Sequence, residues 1–253
     1  MHEFWAFALV GFCAQLIDGA LGMGFGVISS SVLLAQGVPP ALASASVNAA
    51  KLPTTGTAAL SHYWHKNLDP RIIVMLCLFG ALGGMIGATV LTSLKGKTLA
   101  IMINIYLLLI GALVIYRGLR DVVPRLFPKS FTRLIGFSGG LIEGIGGSWG
   151  PIVTTSLLAA GTESRYAIGS SNFSEFIVSI AVFSTFVFAF AMGHWQGGSD
   201  WHEVAWPVAG LVLGGLPAAV IGGYLSKVAP KRPLTIAVGL LAISIGIYRF
   251  VTM

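Results

Sequence analysis

The chain of 253 residues is 55% hydrophobic and only 9% charged, and its formal net charge is +6. Soluble domains carry about 25% charged residues, so this composition excludes a soluble globular protein. Apolar runs of about 20 residues recur along the whole chain, which indicates an all-α polytopic membrane protein rather than a membrane β-barrel. The basic residues lie in short loops, so we do not interpret the positive charge as nucleic-acid binding.

The first half of the chain contains a glycine-rich break followed by membrane-length segments. Helical segments flank the break at 4–20 and 26–36, and full spans are predicted at 41–62, 71–93 and 98–117. A linker with prolines and several cations follows at 118–132.

The second half repeats this order of elements. Segments at 133–145 and 150–160 flank a second break, and spans follow at 165–192, 203–226 and 232–251. The predicted domains are a first transmembrane repeat over 1–117, a basic linker over 118–132 and a second repeat over 133–253. Together they predict about six full transmembrane helices and two re-entrant or broken helical hairpins.

The two breaks are copies of one motif. Leu-Ile-Asp-Gly at 16–19 precedes the first break, and Leu-Ile-Glu-Gly at 141–144 precedes the second. With an offset of 124, residues 22–48 match 146–172 at ten positions, and Asn48 aligns with Asn172. A duplicated, interrupted hydrophobic hairpin is typical of the central site of a secondary transporter.

The segment after each break is too short to cross a bilayer comfortably. Residues 26–36 reach only about 16 Å as a helix, roughly half of a 30 Å hydrocarbon core. Each break therefore predicts a re-entrant hairpin whose tip lies near the midplane, with two unusually short crossing segments as the alternative. A tip at that depth must be buried in protein or line a wet cavity.

The loop charges predict the orientation of the chain. With the linker at 118–132 in the cytoplasm, 11 basic residues lie inside and three outside, which is a strong positive-inside bias. The two halves then insert upside down relative to one another, as an inverted-topology repeat, and both termini lie outside. Tryptophans near predicted segment ends suggest an aromatic belt, formed by Trp5, Trp64, Trp195, Trp201 and Trp206.

Four charged residues lie well inside apolar segments. Asp18 and Glu143 are counterparts in the two copies, and Lys51 and Glu175 are counterparts of opposite sign. An intramembrane charge costs at least ~2.5 kcal/mol on insertion scales, so each of the four is a candidate functional residue.

The two tips predict a site for a small anion. Short helices begin at Gly26 and at Gly150, which Pro151 follows as a suitable first helical residue. Free backbone N–H groups and the positive end of the helix dipole favour an anion at such termini. The candidate tip residues are Gly24, Phe25, Gly26, Ser148, Trp149 and Gly150. The alternative is that the glycines serve only close helix crossing.

A polar stripe follows each tip on the next long segment. Asn48, Lys51 and Thr55 share one helical face, and their counterparts Asn172, Glu175 and Ser179 do the same, with Ser46 and Ser170 nearby. We expect this stripe and the two tips to enclose the substrate. The alternative is a Lys51–Glu175 ion pair that, with bonds from the asparagines, merely locks two long helices together.

Asp18 and Glu143 would repel an anion if both were ionised. They are therefore candidates for proton coupling, binding and releasing a proton during the transport cycle. The alternative is that they cap the glycine turns through hydrogen bonds.

These features resemble the TauE/SafE family of sulfite-exporter-like permeases. The matching residues are the paired strings at Gly19–Gly26 and Gly144–Gly150, the segments at 46–48 and 170–172, and the basic central linker. The resemblance covers essentially the whole chain. It implies export of sulfite, sulfoacetate or another sulfur-containing anion across a bacterial plasma membrane.

The resulting prediction is a secondary transporter, or permease, that moves a small sulfur-containing or other organic or inorganic anion by alternating access. A passive anion channel and an intramembrane enzyme are the alternatives, and the sequence lacks a recognisable catalytic arrangement. We predict no cofactor and no metal. The expected partners are the anion and membrane lipid, a homodimer is left open, and no nucleic acid is expected.

Overall fold

A computed structural model describes residues 2–94, 96–119, 129–193 and 202–251 of the protein. Regular structure within these ranges is entirely helical, which confirms the predicted fold class. The described helices are α1 (His2–Leu21), α2 (Phe25–Ala35), α3 (Pro40–Trp64), α4 (Pro70–Ser93), α5 (Gly96–Leu119), α6 (Lys129–Gly146), α7 (Gly150–Ala159), α8 (Ser164–Ala191), α9 (His202–Val220), α10 (Gly222–Val228) and α11 (Lys231–Val251).

Several of these helices are suited to cross a membrane. Among the described residues, five helices are long and apolar enough, and a sixth candidate arises if α9 and α10 count as one bent span. The number agrees with the prediction, but α1 is among the candidates and α3 is not. The helices α2 and α7 have 11 and 10 residues, so each reaches only about 15–16 Å.

The polar face of helix α3 is covered by other helices. It is 25 residues long, which is enough to span a bilayer, but Asn48, Lys51 and Thr55 on it are all 0% exposed. A helix that is shielded from lipid by protein can carry polar groups, and such groups face the bundle interior. The predicted polar stripe therefore runs through the centre of the molecule.

The predicted span over 203–226 is interrupted, because the chain bends by 61° between α9 and α10. Pro217 lies inside the last turn of α9 and cannot donate a backbone hydrogen bond. Ser61 at the end of α3 satisfies two backbone groups at this bend. Its Oγ donates to Val220 O at 2.7 Å and accepts from Gly223 N at 3.1 Å.

Helices α1 and α9 run in the same direction in close contact. Gly11 lies against the backbone of Leu211, and Gly19 lies against Gly222, so both positions advance together along the two helices. A Cβ at Gly19 would lie 2.6 Å from the Cα of Gly222, closer than a side chain allows. Glycine here permits the backbone approach that is typical of helices packed in lipid.

Helices α6 and α4 form an equivalent pair, in which the first helix of the second half packs against the fourth helix of the first half. Gly136 lies against Leu76 and Gly144 against Gly84, so these helices are also parallel. By sequence α6 is the counterpart of α1, and α4 is the counterpart of α9. The same packing arrangement therefore occurs twice, each time between one half and the other.

Helices α5 and α11, the last helix of each half, pack against one another in opposite directions. Gly118 near the end of α5 lies against Ile236 near the start of α11, and Gly246 near the end of α11 lies against Leu108. Counterpart elements thus meet head to tail, as expected if a two-fold axis relates the halves.

Some predicted features change at their edges or lie outside the described residues. The predicted linker over 118–132 is shorter, because α5 continues to Leu119 and α6 begins at Lys129. Residues 120–128 lie outside the described part of the chain, as do Trp195, Asp200 and Trp201. The other predicted belt tryptophans are exposed near helix ends: Trp5, Trp64 and Trp206.

Replacing Gly140 by Val is expected to destabilise the contact between α4 and α6. A Cβ at Gly140 would lie 2.8 Å from the backbone N of Gly84, and overpacking of this kind costs about 1–3 kcal/mol. Thermal unfolding in detergent would measure the loss. Leu134→Val, on the exposed face of the same helix, is the control and should change the melting temperature little. Equal melting temperatures for the two variants would contradict this packing.

Candidate functional site

Each hairpin turns at a glycine with a left-handed backbone. Gly22 has φ +67° and Gly147 has φ +68°, a conformation that side chains disfavour. Gly22 N donates to Asp18 O at 2.6 Å, and Gly147 N donates to Glu143 O at 2.7 Å. These bonds end α1 and α6 in the same way, and the next residues reverse direction into α2 and α7.

The tips of the two hairpins touch one another through their backbones. Gly26 at the start of α2 lies against the carbonyl oxygen of Gly147, and Gly150 at the start of α7 lies against Gly22 and Met23. A Cβ at Gly26 would also lie 2.8 Å from Lys51 Nζ. Glycine at these counterpart positions therefore allows the two breaks to meet.

Two counterpart hydroxyl groups fasten the tips across this contact. Ser30 Oγ on α2 donates to Gly146 O at 2.7 Å, and Thr154 Oγ1 on α7 donates to Gly22 O at 2.6 Å. Each hydroxyl thus satisfies a carbonyl at the end of the opposite hairpin's first helix. Sequence reasoning missed this pair, although the offset of 124 aligns Ser30 with Thr154.

Asp18 and Glu143 hold the starts of the two half-helices. Phe25 N donates to Asp18 Oδ1 at 3.3 Å, and Trp149 N donates to Glu143 Oε2 at 2.8 Å. Both carboxyl groups are buried. The geometry is that of the capping alternative, and each carboxylate stands where an external anion would meet a helix N-terminus.

One ammonium group joins both halves at the centre of the site. Lys51 Nζ lies 2.7 Å from Glu143 Oε1, from Glu175 Oε1 and from Gly147 O, and its side chain is 0% exposed. The Lys51–Glu175 ion pair is the alternative that the sequence offers to a substrate site. The sequence does not predict the contact of Lys51 with Glu143. Three charge-assisted bonds use all three donors of the ammonium group.

The carboxyl groups are not equally satisfied. Both oxygens of Glu143 are engaged, whereas Asp18 Oδ2 and Glu175 Oε2 are buried without a hydrogen-bond partner among the described residues. With all groups ionised, the three acids and Lys51 together carry a net charge of −2. A buried acceptor or charge without a partner is costly, so these two oxygens are candidates to receive a proton.

The remaining predicted residues are all buried, but their contacts differ. Asn48 and Asn172 each donate from Nδ2 to the carbonyl four residues earlier, and their Oδ1 atoms have no partner among the described residues. Ser46 Oγ is likewise without one there. Ser170 Oγ accepts from Asp69 N at 2.9 Å, which holds the start of α4 rather than a tip.

The second tip is further ordered by Trp149 and Ser148. The Trp149 indole is 0% exposed, and its Nε1 donates to Ser171 Oγ at 3.0 Å. Ser148 Oγ donates to Gly146 O at 3.3 Å. In this arrangement Trp149 packs the tip. Within the described residues, no group of three or more His, Cys, Asp or Glu side chains is arranged to hold a metal ion.

Comparison with known proteins agrees with this architecture. The family described as Sulfite exporter TauE/SafE matches residues 7–249. The chain belongs to the TauE/SafE family. The earlier resemblance is thereby confirmed, and the protein is a membrane transporter of this family.

Two curated proteins are similar to this TauE/SafE chain. The probable membrane transporter protein YtnM of Bacillus subtilis strain 168 is 36% identical over 248 residues, covering 94% of this chain and 80% of that protein. The probable membrane transporter protein ORF9 of Sinorhizobium sp is 26% identical over 190 residues, covering 71% of this chain and 70% of that protein. No solved structure matches the chain.

Replacing Lys51 by Met should destabilise the protein strongly, because two buried carboxylates lose their counter-charge. Breaking a buried ion pair costs about 3–5 kcal/mol. Thermal unfolding in detergent would show the loss, and adding Glu143→Gln and Glu175→Gln should recover much of it.

The matched control is Arg165→Met, which removes a more exposed pair with Glu163 at 2.8 Å. Pairs of that kind contribute about 1 kcal/mol or less. If Lys51→Met unfolded no more easily than Arg165→Met, the central ion pairs would not stabilise the fold.

Proposed function

We propose that the protein is a secondary transporter of a small sulfur-containing anion, such as sulfite or sulfoacetate, with export as the direction implied by its family. The observation that carries the proposal is the meeting of two half-helix N-termini with one buried ammonium group. The site comprises both tips, Lys51 and the polar stripe. Its donors are currently bound by the protein's own carboxylates.

An oxyanion can replace a carboxylate at these donors, because both groups accept hydrogen bonds through negatively charged oxygens. Sulfite and sulfonate groups present several oxygens, and each could accept from Lys51 Nζ or from the N–H of Phe25 or Trp149. The glycines at the tips carry no side chain that would cover these N–H groups. The unused N–H of Asn48 and Asn172 would add donors, since each amide group has two.

The substrate anion and the protein's own carboxylates compete for the same donors, which explains why a proton would accompany the anion. Bringing an anion to a cluster of net charge −2 is unfavourable, whereas protonating a carboxyl reduces that charge and releases a donor. Asp18 and Glu175 each have one oxygen without a partner among the described residues, so we assign the proton to this pair. Glu143, which the sequence also nominated, remains a fixed cap in this proposal.

The duplicated hairpins support a mechanism of alternating access. The swapped hydroxyl bonds of Ser30 and Thr154 and the head-to-tail packing of α5 with α11 support an inverted repeat. In such transporters one half rocks against the other around a central site. We infer that the tips form this fixed centre, and that α2 and α7 enter the membrane from opposite sides.

We infer that the protein lies in a bacterial plasma membrane with the 118–132 linker in the cytoplasm and both termini outside. Several described basic residues support this orientation, because the helix ends that carry them lie together. Asp69 N contacts Ser170 Oγ near Arg71 and Arg165, and Arg232 donates to Leu119 O at 3.0 Å.

The test is uptake of labelled sulfite and sulfoacetate into proteoliposomes, with and without an imposed pH gradient. Saturable flux that follows the gradient would support a proton-coupled carrier. Saturable flux that is indifferent to pH would keep the carrier and remove the proton. Flux that does not saturate would indicate a passive channel, and absence of flux for both anions would contradict the substrate assignment.

Lys51→Gln should reduce sulfite flux roughly 10- to 100-fold, because it removes the one cation that the described residues place in the cluster, and one charge-assisted bond is worth about 1.5–3 kcal/mol. Asn172→Ala should weaken sulfite binding. Arg165→Gln, at an exposed pair, should transport normally. Wild-type flux in Lys51→Gln protein that is shown to be folded would refute the site.

Glu175→Gln should uncouple flux from the pH gradient, because glutamine cannot exchange the proton assigned to the free Oε2. Asp18→Asn should act in the same direction. The control is Glu163→Gln, which changes an exposed glutamate at the start of α8. Flux into proteoliposomes at several external pH values would measure the effect. A wild-type pH profile in both central variants would exclude the proposed proton route.

A further inference from the structure

Two arginines at counterpart positions lie next to the C-terminal ends of the two half-helices. The last helix of each half contains the same dipeptide, Tyr116-Arg117 on α5 and Tyr248-Arg249 on α11. A cation at a helix C-terminus can bind the last carbonyls and interacts favourably with the helix dipole.

Arg249 makes two bonds at the end of α2. Its Nη1 donates to the carbonyl oxygen of Leu34 in the last turn of α2, and its Nε donates to Asn104 Oδ1 on α5 at 3.0 Å. Asn104 is buried. Helix α11 packs directly along α2, so this half-helix is held at both its tip and its far end.

Arg117 holds the end of α7 much more loosely. Among the described residues, its Nη1 donates to the side chain of Ser156 at 3.4 Å, rather than to the carbonyl of Leu158, the counterpart of Leu34. Ile236 occupies the position equivalent to Asn104 and offers no acceptor. The two counterpart contacts are therefore formed unequally.

The packing around the half-helices is also unequal, and it is again tighter around α2 than around α7. A cavity of about 450 Å³ separates α5 from the second hairpin, lined by residues that include Leu109, Ile145 and Ile152. Ile28, the counterpart of Ile152 in the first hairpin, is only 7% exposed. Helix α11 packs along hairpin one, whereas hairpin two contacts α5 near its tip, where Tyr106 lies against Gly146, and is elsewhere separated from α5 by this cavity.

We propose that Arg249 and Arg117 are positioning residues that act as counterpart latches, each holding the C-terminal end of one half-helix. The transporter alternates between the arrangement described here, with the Arg249 latch closed, and one with the Arg117 latch closed. This proposal rests on the proposed alternating access. Because the crossed bonds of Ser30 and Thr154 join the tips, release of one half-helix end permits closure of the other.

The test measures two distances by pulsed electron paramagnetic resonance in proteoliposomes without substrate. In a Cys13→Ala, Cys77→Ala background, one spin-label pair replaces Gln36 and Val251 and reports on α2 and α11. A second pair, at Leu119 and Ala160, reports on α5 and α7. The ratio of short to long distances in each pair gives the population of each closed latch.

Arg249→Ala should lower the short-distance population of the first pair by roughly 10-fold and raise that of the second, since it removes charge-assisted bonds from one state only. Arg117→Ala should shift both ratios in the opposite direction. The double variant should return them towards wild type. Arg249→Gln keeps a hydrogen-bond donor, so it should shift the distance ratios in the same direction as Arg249→Ala but less. This variant replaces Arg249→Ala in the test if the alanine variant does not fold.

Shifts in the same direction for both arginine variants, or unchanged distances, would overturn the latch. A purely structural role would broaden both distance distributions without opposed shifts. The measurement uses no anion, so its failure is distinct from failure of the substrate assignment, which the flux assay tests separately.

Discussion

The arrangement of the protein depends on one ammonium group that has been removed from water. Lys51 Nζ binds a carboxylate on α6, a carboxylate on α8 and a carbonyl at the second tip, so it ties α3 to three elements of the other half. Such a cation is costly unless it is fully paired. The glycines of the tips meet the same need, because any side chain at Gly26 would displace either the opposite backbone or the ammonium group.

In the proposed mechanism, the same interaction connects stability with transport. A substrate anion that binds Lys51 must take over bonds that hold the two halves together, and the carboxylates must then give up charge or move. In the proposed mechanism, ligand binding and movement of the halves are thus linked through one set of donors. The latches proposed for Arg249 and Arg117 would place the other end of each half-helix, at the far ends of α2 and α7, under similar control.

Much of this site could be predicted from the sequence because charge in an apolar run is expensive and glycine breaks are visible. Asp18, Lys51, Glu143 and Glu175 all lie in one buried cluster, and the hairpins begin and end within a few residues of their predicted bounds. The Lys51–Glu143 contact was not predictable, since it depends on how a hairpin 92 residues away folds back. The roles of Ser30 and Thr154 could not be predicted, because hydroxyl residues are common in membrane helices. The bend near Ile221 could not be predicted either, because proline and glycine also occur in continuous membrane helices.

The opposite signs of Lys51 and Glu175 have a consequence for the origin of the fold. In a dimer of two identical subunits, a residue near the two-fold axis faces its own copy, so a lysine would face a lysine and a glutamate a glutamate. Joining both halves in one chain lets each position change independently, and complementary charges can then replace a repulsive pair. The two parts of this chain therefore supply different groups to the centre, and two copies of either part would lack the Lys51–Glu175 pair.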